Sequence, residues 1–117
     1  MRYAKFNNSR SGKFPFFVYI KIGDGKITDP AGHNWAGYPK GAQEITQEEY
    51  EVVEKSYGEN EPKVGDEVVV LEYVSVAKRY AKITIIEKGF ATVQEKSGKH
   101  DRWMLRDIRK KSYIHKT

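Results

Sequence analysis

Glu67-Val68-Val69-Val70-Leu71-Glu72-Tyr73-Val74 and Arg79-Tyr80-Ala81-Lys82-Ile83-Thr84-Ile85-Ile86-Glu87 are the two stretches whose reading decides the fold. The first holds four consecutive apolar residues at 68–71, which suits a strand covered on both faces. The second alternates, with Ala81, Ile83 and Ile85 set against Tyr80, Lys82 and Thr84, which suits a strand with one wet face. Lys88-Gly89 then turns into a third strand at Phe90–Glu95. Lys96-Ser97-Gly98-Lys99 turns again into His100–Met104. Leu105–Ile108 reads as one turn of 3₁₀ or α helix, and Ser112–His115 as a last short strand. Short strands joined by tight turns predict a small antiparallel barrel.

Upstream, residues 14–22 are aromatic and β-branched and predict a strand, with Pro15 at its beginning or on an edge. Gly23-Asp24-Gly25 supplies the positive φ of a tight hairpin, and 26–28 returns. Asp29–Lys40, punctuated by Pro30, Gly32, Gly37 and Pro39, reads as a long loop. Thr46 and Glu49 form a capping box, and Ile45 with Tyr50 a hydrophobic staple, so a helix runs from 47 to about 57 and ends at Gly58. Tyr50, Val53 and Tyr57 share its inner face, while Glu48, Glu51 and Glu54 point outward.

The expected fold class is α+β: an N-terminal β-hairpin and one helix (residues 1–61) packed on a C-terminal antiparallel barrel (residues 62–117). Because 68–71 needs a second cover, the two parts are expected to form one integrated unit.

Five strands with a helical turn before the last resemble the SH3-like barrels of Tudor, KOW and related small domains. The residues that carry the likeness are Val64-Gly65-Asp66-Glu67-Val68, Tyr80–Ile86, Phe90–Val93, Gly98 and Trp103–Ile108, within residues 63–115. A second likeness lies in Lys40–Tyr50. There Gly41-Ala42-Gln43-Glu44-Ile45-Thr46 looks like a segment of bacteriophage tail-fibre assembly and other small phage proteins, leading from a strand into an acidic helix. Residues 3–6, Tyr-Ala-Lys-Phe, are similar to the hairpin that precedes it. The Asp29–Tyr38 loop and the appended barrel depart from that pattern. The likeness implies a phage protein acting in the cytoplasm of a host cell.

The chain has 117 residues, 38% of them hydrophobic and fifteen aromatic, enough for a core without metal or disulfide support. It has no cysteine, which excludes thiol catalysis and thiolate metal sites. No apolar run reaches the length of a membrane span, and the charged start is not followed by an apolar stretch, so neither a span nor a secretory signal is expected. The net charge of +5 divides into +5 over residues 1–40, −6 over 41–62 and +6 over 63–117.

His33, His100 and His115 lack zinc-ligand spacing, and no nucleophile elbow, phosphate loop or dinucleotide fingerprint occurs. No enzyme activity, metal or cofactor is expected. One reading of Gly32-His33-Asn34-Trp35 makes His33 a general base oriented by Asp24 or Asp29. The other makes it a surface histidine, with Trp35 folded back as a plug. His33, Trp35 and Tyr38 are the candidate partner-binding residues.

Basic and aromatic residues interleave at Lys78, Arg79, Tyr80 and Lys82, and again at Arg102, Arg106, Arg109, Lys110 and Lys111 around Trp103. If the turn after Trp103 is helical, Arg106, Arg109 and Lys110 lie close together. Such cations neutralise phosphates, and rings stack on exposed bases. Trp103 itself is expected in the core. The expected function is therefore a non-catalytic phage-type binding protein whose basic barrel face contacts nucleic acid or a nucleoprotein. The alternative is a protein-only binder: a virion assembly factor, or an inhibitor of a host defence nuclease of the anti-CRISPR kind. A continuous positive patch favours the first; scattered cations beside an exposed aromatic patch favour the second.

Overall fold

A computed structural model describes residues 1–7, 17–71 and 81–115. It is a mixed α and β structure of antiparallel sheets with one long helix, and it divides into two compact units, Met1–Gly58 and Glu59 onward.

The first unit is a four-stranded sheet of β1 (Arg2–Asn7), β2 (Phe17–Gly23), β3 (Lys26–Thr28) and β4 (Gln43–Glu44), in the order β3-β2-β1-β4. The expected hairpin closes at Asp24 and Gly25, both at positive φ (53° and 72°), so Gly23 faces Lys26. Two positive φ values in a two-residue loop match the twist of the flanking strands. The two-residue period sorts the side chains. Ala4, Phe6 and Ile20 form a core on one face, joined by Val18, Ile22, Ile27 and, from the long loop, Trp35 and Ala42. On the other face the Tyr3 ring lies 5.2 Å from Tyr50 of α1 (Gln47–Glu59). The cap is formed as expected: the Glu49 amide donates to Thr46 Oγ1 at 3.1 Å. Tyr50, Val53 and Tyr57 are buried, and Glu48, Glu51 and Glu54 are exposed.

The second unit is a five-stranded sheet. Its strands are β5 (Glu67–Val70), β6 (Ala81–Glu87), β7 (Phe90–Glu95), β8 (His100–Met104) and β9 (Ile108–Lys110), in the order β8-β7-β6-β5-β9. A 3₁₀ turn at Leu105–Asp107 precedes β9, and a short helix α2 (Lys111–His115) follows it. Val68, Ile83, Ala91, Val93 and Ile108 make the core, closed by Ile86, Leu105 and Trp103. Val69 is as buried as Val68, so β5 is covered on both faces from Val68 to Val70, while Glu67 is exposed.

Two expectations are corrected. Ser112–His115 is helical, because the pairing edge of β5 is already taken by Ile108–Lys110 directly after the 3₁₀ turn. Asn60 fixes the exit: its carbonyl accepts the Lys110 amide, and its side-chain oxygen accepts the Ser112 hydroxyl. The alternation in β6 also breaks. Ile83 faces Val93 and Ile85 faces Thr92, so one extra residue sits in β6 as a bulge. Ile83 is buried, Ile85 is turned out, and Ile86 returns to the core.

Candidate binding face

Register places nine outward positions of β6, β7 and β8 in three cross-strand rows. Glu87, Phe90 and Met104 make the first row; Ile85, Thr92 and Arg102 the second; Lys82, Gln94 and His100 the third. The opposite phase, with Ala91, Val93 and Trp103, faces the core. Three large apolar side chains stand in the first two rows at substantial exposure: Ile85 50%, Met104 41% and Phe90 38%. The Arg102 guanidinium lies over the Phe90 ring, 4.8 Å from its centre. Such stacking holds an arginine in place while its N–H groups remain directed outward. Glu67 of β5 stands opposite Lys82 at the end of the third row. Lys82 and Arg102 thus share this face with the carboxylates Glu67 and Glu87, and Glu67 also meets Lys111 Nζ at 3.4 Å. Beside the third row an open groove lies against Lys82, Gln94, Lys96, Glu67 and Glu95.

Of the nine residues expected to bind nucleic acid, the six described ones do not form one exposed cluster. Lys78, Arg79 and Tyr80 lie outside the described residues. Arg109 is only 7% exposed, and its Nη1 donates to the carbonyls of Leu105 (3.3 Å) and Ile108 (2.8 Å). It ties the 3₁₀ turn together and does not meet solvent as a phosphate ligand would. The turn spans only Leu105–Asp107, so the helical spacing that would group Arg106, Arg109 and Lys110 does not arise. Lys110 Nζ is 4.0 Å from Asp66, and Lys111 Nζ is 3.4 Å from Glu67. Lys82, Arg102 and Arg106 are the exposed members, on separate elements.

In the first unit Asp29 organises the long loop. Its Oδ1 accepts the His33 amide (3.0 Å), while Oδ2 accepts the His33 Nδ1–H and the Trp35 Nε1–H (both 3.1 Å). The Trp35 ring meets Phe6 edge-on at 5.1 Å, and its amide donates to Ile27. Trp35 is therefore partly buried against the core of this unit, as the plug reading of the loop expected. The histidine–carboxylate pair expected of a general base does exist, but the same carboxylate is what anchors the plug. Tyr38 is exposed, with the Arg2 guanidinium 5.3 Å from its ring centre and Arg2 Nε donating to Glu44 at 2.8 Å.

Sequence reasoning missed Ile85, Phe90 and Met104. The signal for two of them was present: placing Ala91 and Val93 inward puts Phe90 outward, and placing Trp103 inward does the same to Met104. Among the described residues no group of three His, Asp or Glu side chains is arranged to hold a metal ion, and no helix is long and apolar enough to cross a membrane.

No protein-family model, curated protein or solved structure matches the chain.

Proposed function

We propose that this is a non-catalytic binding protein that docks a protein partner on the outer face of the five-stranded sheet. The observation that carries this reading is the exposure of Ile85, Phe90 and Met104 within two successive rows of one face, with Arg102 stacked on Phe90. Aromatic residues, methionine and arginine are enriched in protein interfaces. Phosphate binding draws on an uninterrupted run of positive charge, whereas this face interleaves its cations with the carboxylates of Glu67 and Glu87.

Nucleic acid remains a second reading on one observation: an exposed ring with a guanidinium beside it also suits a stacked base of a single strand. The strand order, with a 3₁₀ turn before the last strand, supports reading the second unit as an SH3-like barrel. The phage character suggested by residues 40–50 supports an assembly factor or an inhibitor of a host defence enzyme, acting in the host cytoplasm.

Capture from a bacterial host lysate, with and without nuclease, tests the reading against Phe90→Asp, with thermal melts to confirm that the variant folds. Nuclease-resistant capture that depends on Phe90 is the expected result. Oligonucleotide binding at low salt, lost with Phe90→Asp, would favour the second reading.

A further inference from the structure

We infer that the outer face of β6, β7 and β8 pairs with the same face of a second copy of the chain. This deepens the protein-binding reading and rests on it. Glu87 and Arg102 stand at opposite corners of a patch whose other corners are Ile85 and Met104. The patch spans two strand spacings and one two-residue step, about 10 Å by 7 Å. An isologous contact requires that whatever residue meets another is met by it in return. A two-fold axis lying along the Ile85–Met104 diagonal satisfies that condition. It sets Glu87 of each copy against Arg102 of the other, and Ile85 and Met104 against themselves. Acid meets base twice, and apolar meets apolar in between.

Phe90 and Thr92 fill the middle of the patch, and the stacking of Arg102 on Phe90 holds the guanidinium over the face. A carboxylate arriving from the other copy meets an arginine that is already oriented, so little side-chain freedom is lost on pairing. The patch carries one acid and one base at opposite corners, which favours a copy of itself. Lys82, Gln94 and His100 lie at one end of the contact, where polar residues form the rim.

Sedimentation velocity of the full chain over a concentration series tests this. The expected result is a reversible monomer–dimer equilibrium. Glu87→Arg and Arg102→Glu, each alone, place like charges opposite one another and weaken it at least about tenfold. The double variant Glu87→Arg/Arg102→Glu restores it, because the two reciprocal pairs re-form with reversed sign. Ile85→Asp, at the most exposed of the three apolar positions, abolishes it without disturbing the core. Circular dichroism and melts confirm the fold of each variant.

A chain that stays monomeric throughout overturns the inference, as does a dimer that survives Ile85→Asp or a double reversal that fails to restore pairing. Monomeric behaviour alongside Phe90-dependent capture of another protein would overturn self-pairing alone. Loss of the Phe90 dependence of capture would remove the broader reading of this face as a site for other proteins.

Discussion

The indole N–H of Trp35 donates to the same Asp29 oxygen that accepts the Nδ1–H of His33. One carboxylate thereby holds a tryptophan against Phe6 and a histidine at the loop surface. Asp29→Ala leaves three N–H groups without their acceptor, while the Trp35 amide bond to Ile27 remains. The expected loss is about 1–3 kcal/mol, read from denaturant melts followed by tryptophan fluorescence. His33→Ala costs less, since the Trp35 bond to Asp29 remains.

The bulge in β6 separates two isoleucines that strict alternation would treat alike. Ile83 is 1% exposed in the core of the second unit, so Ile83→Ala is expected to cost about 2–5 kcal/mol. Ile85→Ala, on the outer face, should stay within about 0.5 kcal/mol of the parent. Urea titrations of the two variants distinguish this register from an unbroken strand, in which both changes would be costly.

Arg109 is a structural arginine. Replacing it with Gln removes a charged donor from two carbonyls at the 3₁₀ turn, with an expected cost of about 1.5–3 kcal/mol. Arg106→Gln, at an exposed position on the same turn, should cost less. Thermal melts that rank the two the other way round would remove Arg109 from this role.

Burial raises the pKa of the Tyr19 phenol above its ordinary value of about 10, and the nearby Glu49 carboxylate adds to the shift. The neutral phenol is therefore favoured in the folded chain. Its contribution to stability is complete below about pH 10 and declines as pH rises from there through the folded-state pKa. Tyr19→Phe should flatten the fall in stability between about pH 9 and about pH 11, and Glu49→Gln should flatten it less. Denaturant melts at the two pH values provide the measurement.

Local rules were legible where a single turn or cap decides the outcome. The hairpin at Asp24-Gly25, the Thr46 cap and the inner face of α1 follow from residue type and spacing alone. Trp103 joined the core as its surroundings implied. The errors arose where tertiary pairing intervened. Residues 112–115 carry a tyrosine and an isoleucine that suit a strand, but β9 had already filled the place beside β5. Arg109 carries a charge that predicts solvent, but two turn carbonyls hold it inside. Most of the candidate site was hidden for a related reason. A run of residues such as Ile83-Thr84-Ile85-Ile86 fits either phase of a strand, and only its register with Val93 and Thr92 shows which isoleucine is turned out.

The extra residue in β6 also bears on how this surface tolerates changes of length. Because Val93 and Thr92 are neighbours that face opposite ways, removing Thr84 would let Ile85 follow Ile83 in regular alternation, with Ile83 still inward and Ile85 still outward. The bulge thus absorbs one residue without exchanging the two faces. A lineage could gain or lose that single codon in one frame-preserving event while both the core and the apolar patch stay in place.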